Sequence, residues 1–160
     1  MIRENNTYEI RKYTESDYNA FRDMFNEYFL KDLKIYITAK ELENICVDIT
    51  RSVHTGILFL DLPIQNDIPK GFIIYQIDSS KSDWCEKEGY GFIREVFVVP
   101  DARKYGIGRR LVMHAEEKLY ELMAPRIYLT SDEGGDFWHA MGYCESGEIS
   151  TINNDPIFIK

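Results

Sequence analysis

A mixed α/β sheet with helices on both faces is the fold class this sequence predicts, on three observations. Strand-like and helical segments follow one another in the order β, α, α, β, β, β, α, β, α, β, β. Two of the strand segments flank one long helix, which reads as a right-handed crossover between parallel neighbours. The three strand segments leading up to that helix are joined by connections short enough for antiparallel pairing. With 160 residues, an ordinary domain length, the expectation is one domain over residues 1–160.

Each element has a local cause. Residues 8–13 read as a short first strand. Thr14 and Ser16 are good helix caps and Asp17 suits a first turn. Tyr18, Phe21, Phe25, Tyr28 and Phe29 then recur at helical spacing, to about Lys31. A second helix opens at Thr38, where Thr38 and Glu41 have capping-box spacing. Leu42, Ile45, Cys46, Ile49 and Val53 form its apolar face, and Gly56 stops it. Residues 57–62 are a compact apolar strand, 63–69 a turn-rich connection bounded by prolines, and 71–77 a β-branched and aromatic run suited to a central strand. Residues 79–88 are polar and mobile in character, with Trp84 set among charges. Residues 90–99 form another strand, stopped by Pro100. The long helix covers about 106–123, with Ile107, Leu111, Ala115, Leu119 and Leu122 as its core stripe. Pro125 ends it. A strand at 126–130, a short helix at 135–141 capped by Gly142, and strands near 143–150 and 157–160 complete the chain.

Charge and composition exclude several classes of function. There are 27 acidic residues against 19 basic ones, a formal charge of −8. That argues against a nucleic-acid binder, which spreads positive charge over a face, and suits a cationic substrate. No apolar run reaches the length of a membrane span. The opening MIRENNTYEI lacks the apolar stretch of a secretion signal. Cys46, Cys85 and Cys144 make neither a CxxC pair nor a metal pattern, and read as reduced, half-buried, inert thiols. The expectation is a cytoplasmic protein with no metal; an aromatic content of 14% hints at a homodimer face. His54, His114 and His139 have no ligand spacing, and structural roles are expected for each.

One window departs from the acidic background. Pro100-Asp-Ala-Arg103-Lys104-Tyr105-Gly106-Ile107-Gly108-Arg109-Arg110 lies between a strand and a helix and holds four of the chain's 19 basic residues within eight positions. Arg109 and Arg110 fall in a first helical turn, where the macrodipole disfavours cations. An anion resolves the conflict. Free amides at a helix N-terminus, reached through glycines, cradle phosphate oxygens, and Arg and Lys add charge-assisted bonds. Gly106 and Gly108 let the backbone approach a ligand. The GxxxxGK[ST] loop is absent, and a dinucleotide fingerprint would need glycine in place of Leu111.

The stretch Val96-Phe97-Val98-Val99-Pro100-x-x-Arg103-x-x-Gly106-Ile107-Gly108-x-x-Leu111 resembles motif A of the GNAT superfamily of acyl-CoA-dependent N-acetyltransferases. Phe137-Trp138-His139-Ala140-Met141-Gly142-Tyr143 resembles the family's closing helix, usually Phe-Tyr-x-x-x-Gly-Phe. The resemblance implies a mostly antiparallel sheet with a splayed strand pair and acetyl-CoA, or coenzyme A, as co-substrate. The backbone of Val96, Phe97 and Val98 would meet the acetyl group and pantetheine, much as a peptide pairs with an open strand edge. Amides of Lys104, Tyr105, Gly106, Ile107, Gly108 and Arg109, with Arg103 beside them, would hold the pyrophosphate. Ser131 stands where the family often has an Asn that touches pantetheine, and Phe137 and Trp138 would lie beside the thioester.

The same resemblance implies transfer of an acetyl group to a primary amine by direct attack in a ternary complex. Attack needs a neutral amine, so a general base is useful, directly or through water. Glu95 is the candidate, since the family often places an acid there or nearby. The family frequently has a Tyr as acid at the position of Trp138, and indole does not release its proton as a phenol does. Tyr143, Ser131 or a water are the substitutes, or no acid is needed. Asp78, Asp83, Glu86 and Glu88, with Trp84, Tyr75 and Tyr90, are further candidates for the acceptor side. The departure at Trp138 also supports an alternative, a coenzyme A-binding regulatory or sensor module with weak or no catalysis.

Overall fold

The computed structural model describes residues 7–160. The first six residues, part of the opening stretch that lacks a secretion signal's apolar run, lie outside the described residues. Among the described residues eight strands form one open sheet: β1 (Glu9–Lys12), β2 (Phe59–Gln65), β3 (Ile68–Pro69), β4 (Gly71–Ile77), β5 (Gly91–Val98), β6 (Ile127–Thr130), β7 (Cys144–Ile149) and β8 (Pro156–Ile159). Their spatial order is β1-β2-β4-β5-β6-β8-β7, with the short β3 folded back on β2. Every pairing is antiparallel except β5 with β6, as the crossover argument requires.

The helices are α1 (Tyr18–Glu27), α2 (Ala39–His54), α3 (Ile107–Glu121) and α4 (Asp136–Ala140). Strand β4 is sandwiched, which explains the apolar run Phe72–Tyr75. Phe72 and Ile74 pack with Phe21, Phe25, Leu42 and Cys46 under α1 and α2. Ile73 and Tyr75 pack with Leu111, Val112, Ala115 and Leu119 under α3. Thr38 caps α2 as its spacing predicts, accepting from the Glu41 amide at 3.1 Å while Glu41 accepts from the Thr38 amide at 2.8 Å.

Four local expectations need correction. Strand β2 does not stop at Leu62; it runs through Pro63 to Gln65. Proline is tolerated because Lys70 donates to the Pro63 carbonyl at 2.8 Å while the Lys70 carbonyl is taken by the Val99 amide at 2.9 Å, so the missing Pro63 amide breaks no bond there. A tight turn follows at Asn66 and Asp67, both with positive φ (50° and 61°), as a two-residue hairpin demands. The first long helix changes character before its expected end: Tyr28–Asp32 forms a π-type turn, closed by the Leu33 amide on the Tyr28 carbonyl at 3.0 Å. The three thiols are not equivalent. Cys46 is buried, with its thiol pushed up to about 11 by that burial, while Cys85 and Cys144 are exposed.

The fourth correction concerns residues 79–88. This polar stretch is organised by Asp78, which is 1% exposed. Its carboxylate accepts from Gln76 Nε2 at 2.7 Å, from the amides of Glu86 and Lys87 at 3.0 Å each, and from the Tyr128 hydroxyl at 2.5 Å. Asp78→Ala strands these donors in the interior and is expected to destabilise the fold by about 3 kcal/mol. For a chain of this size that lowers Tm by roughly 6–12 °C. Thermal unfolding followed by circular dichroism checks it.

Strand β5 is irregular in two places. Ile74 pairs with Glu95 but Tyr75 pairs with Ile93, so Arg94 is an extra, bulged residue. Without the bulge, Glu95 would share the face of Ile93 under α3; with it, Glu95 sits with Ile74 on the α1 side. Further, β5 pairs with β6 only at Gly91–Ile127 and Phe92–Tyr128, although β5 continues to Val98. Beyond Phe92 the two parallel strands part.

Candidate active site

The parting of β5 from β6 opens a cleft of about 440 Å³. Its walls are Val96, Phe97 and Val98 of β5, the turn Ala102–Arg103–Lys104, the start of α3 (Gly106, Ile107, Gly108, Arg109), Phe137 of α4, and Asp32 from the π-type turn. Gly106 sets the entry to α3 in a left-handed conformation (φ 78°), which glycine adopts without strain, and Lys104 shares that region (φ 71°). The Arg110 amide is the first to close a helical turn, on the Gly106 carbonyl at 3.1 Å. The N-terminal amides before it are those a helix leaves without an intrahelical partner. A Cβ on Gly106 would meet nothing within 4 Å, so space lies open over the turn.

Arg103 joins two parts of the cleft. Its Nε donates to the Val98 carbonyl at 2.7 Å, and its guanidinium lies 5.5 Å from the Phe97 ring centre. The same guanidinium faces Asp32 at 3.2 Å, tying the π-type turn to the cradle. Asp32 and Ala102 carry no sequence signal for this place: one is an acid at the end of a helix, the other a small buried residue.

Glu95 stands one residue before the lining segment, on the α1 side of β5. Its Oε2 accepts a hydrogen bond from the Tyr28 hydroxyl. Burial outweighs that bond and holds the carboxyl at about 7, against 4.5 for a free glutamate. Asp32 and Glu133 also lie close enough to Tyr28 to push its phenol well above the ordinary range, after burial and Glu95.

The remaining expected site residues divide. Val96, Phe97, Val98, Arg103, Lys104, Gly106, Ile107, Gly108, Arg109 and Phe137 line the cleft together. Tyr105, 62% exposed, is outside the lining. Ser131 is outside the lining, its hydroxyl 3.4 Å from the Glu133 carbonyl. Trp138 leans on the core beneath α3, edge-on to Tyr143 at 5.6 Å. The idea of Tyr143 as an acid fails on geometry. Its side chain is fully buried, and its hydroxyl donates to the interior carboxylate of Glu116 at 3.3 Å, which Lys160 also holds at 2.8 Å.

Five of the acceptor-side candidates are also spoken for. Asp78 organises its loop, Asp83 pairs with Arg94 at 2.8 Å, and Glu86 receives the Thr151 amide at 3.0 Å. Tyr75 donates to Asp61 at 2.5 Å, and Trp84 lies against Phe92 at 5.2 Å. His114 meets Asp61 at 2.9 Å beside a separate groove of about 1120 Å³ between α2, β1 and α3, and His139 meets Glu145 at 2.8 Å. Among the described residues no group of His, Cys, Asp and Glu is placed to hold a metal, and no helix is long and apolar enough to cross a membrane.

A glycine-rich, cationic helix start beside an unpaired strand edge suits a ligand that carries phosphates. Residues 18–143 match the model of the acetyltransferase (GNAT) family, and the chain belongs to that family, whose co-substrate is acetyl-CoA. The open space over Gly106, the amides of the α3 start and the unpaired edge of β5 fit such a molecule. No curated protein sequence matches the chain. Solved structures show the same fold. The PaiA N-acetyltransferase of Thermoplasma acidophilum in complex with coenzyme A is 15% identical, with a TM-score of 0.73 over 96% of this chain and 98% of that one. A GNAT-family acetyltransferase of Brucella melitensis in complex with acetyl-CoA is 17% identical, with a TM-score of 0.66 over 96% and 87%. AAC(6')-Iy, bound to a bisubstrate analogue that joins coenzyme A to acetylneamine, is 15% identical, with a TM-score of 0.72 over 90% and 95%.

Proposed function

We propose that this acetyltransferase transfers the acetyl group to a primary amine that carries positive charge, by direct attack in a ternary complex. The observation that carries the reading is Glu95: a carboxyl held near 7 beside the parted edge of β5, on the face that the π-type turn covers. The amine nitrogen attacks the thioester carbonyl carbon, the carbon–sulfur bond breaks, and the sulfur leaves with its electron pair. The proton lost by nitrogen passes to Glu95, directly or through a water. The thiolate needs no acid near neutral pH, since thiols ionise at about 8.5. That agrees with the burial of Tyr143 and with an indole at Trp138. Amides from Lys104 to Arg109 hold the pyrophosphate, and the Val96–Val98 edge pairs with the amides of pantetheine. Glu95 and Glu133 make the acceptor side acidic, which favours a cation.

The test is titration calorimetry with acetyl-CoA together with release of free thiol in the presence of neamine, 1,4-diaminobutane, a lysine peptide and an N-terminal alanine peptide. Micromolar binding with amine-dependent release is the expected result. Binding without release from any amine supports the coenzyme A-binding module, the reading that the missing phenol favours. Absence of binding overturns both.

A further inference from the structure

We infer that Tyr28 is a positioning residue for Glu95: its hydroxyl holds the carboxylate in place and keeps it ionised. The inference rests on the reading of Glu95 as the base. Tyr28 opens the π-type turn, a feature that often marks functional sites. Its ring is clamped by Phe25 at 6.0 Å, Phe72 at 5.8 Å, Phe97 at 5.9 Å and Phe29 at 6.1 Å between centres. A phenol fixed on four sides is a donor with one direction, and that direction is Glu95 Oε2. Oε1 accepts no hydrogen bond from the described residues, so one oxygen is anchored and the other is left for a proton.

No other described side chain donates to Glu95 in place of Tyr28. From β5, the Arg94 guanidinium also favours the ionised carboxyl, less than the Tyr28 bond does, but its own hydrogen bonds go to Asp83 at 2.8 Å and to the Gln76 side chain at 3.1 Å. From the π-type turn, Asp32 is answered by Arg103. Glu133, after β6, adds only negative charge. On β4 the register partner is Ile74, which is apolar. Burial therefore drives Glu95 toward its protonated form, and the Tyr28 hydroxyl is the hydrogen bond that opposes it. The bulge at Arg94 is what turns Glu95 to this face, so bulge, π-type turn and aromatic clamp serve one contact.

Tyr28→Phe keeps the ring and removes the donor. A hydrogen bond to a charged group corresponds to about one to two pK units. The first readout needs no acceptor: the ¹³C shift of the Glu95 carboxyl, assigned by its loss in Glu95→Gln, followed against pH. The midpoint is expected near 7 in the natural protein and at least one unit higher in Tyr28→Phe. The second readout is the acid limb of kcat/KM for the fastest of the four amines, which should move up with it. Activity at pH 7 then falls roughly fivefold and recovers as pH rises. A midpoint and limb unchanged in folded Tyr28→Phe would reduce Tyr28 to packing and overturn the inference, leaving Glu95 as the base. An acid limb that survives in Glu95→Gln would instead remove the base reading, and this inference with it.

Discussion

Glu95→Gln is expected to lower kcat/KM for the amine by about 10²–10⁴-fold at pH 8, the span that a positioned general base contributes. Affinity for acetyl-CoA should stay the same, because Glu95 does not line the cleft. Stability should change in the opposite sense to activity. In the folded chain the carboxyl is held at about 7, above the 4.5 of an unfolded one. Between those values the folded state binds more protons than the unfolded state, so stability falls as pH rises through that window. Above it, the ionised carboxylate leaves the natural protein less stable by about 3 kcal/mol relative to a group without the shift. The neutral amide escapes this and still accepts from Tyr28. At pH 8 the variant is therefore expected to melt several degrees higher, and the advantage should vanish near pH 4. A folded variant that keeps full activity at pH 8 would show that the carboxyl does not take the proton.

The contrast between Glu95 and its neighbours shows what a sequence carries about such a site. The cradle is legible because it violates a local rule: Arg109 and Arg110 stand where a helix start disfavours cations, and two glycines precede them. The central strand β4 is legible because both its faces are buried, so Phe72 to Tyr75 are all apolar or aromatic in place of an alternating pattern. The contacts that complete the site have no such local trace. Tyr28 meets Glu95 across 67 positions, and Asp32 meets Arg103 across 71. At sequence level Tyr28 is one more aromatic on a helix, indistinguishable from Phe25.

The bulge at Arg94 is a property of pairing with β4, so the face Glu95 takes is not readable from β5 alone. Tyr143 misleads for the same reason. A Tyr after Gly142 looks the same whether it faces the cleft or, as here, the interior carboxylate of Glu116. Pro63 looks like a break in the sequence, because whether proline interrupts a strand depends on which neighbour occupies that side of it.

Gly108→Asp separates the cradle from the fold that carries it. Gly108 lies in the first turn of α3 and needs no special backbone conformation. A Cβ there meets Phe137 and Val98 at 3.9 Å, ordinary contact. Replacing a helical glycine removes an entropic penalty, and an acid in the first turn is favoured by the dipole by about 0.3–1 kcal/mol. Tm should therefore hold or rise by a few degrees. Binding should move the other way. The new carboxylate would stand among the amides and side chains that answer the pyrophosphate, and would both repel it and compete for its donors. Acetyl-CoA affinity is expected to fall at least hundredfold, about 3 kcal/mol, measured by calorimetry. Gly108→Ala, which adds the same Cβ without charge, should bind within a few-fold of the natural protein and isolates the electrostatic part. Gly106→Asp is a poorer probe, because its left-handed φ of 78° strains any side chain and mixes backbone cost with charge. The ionic-strength dependence adds a second check: high salt should narrow the gap between Asp and Ala at position 108 if charge is the cause. A folded Gly108→Asp that binds acetyl-CoA as tightly as the natural protein would place the phosphates away from this turn, and would leave Lys104 and Arg109 without the anion that explains them.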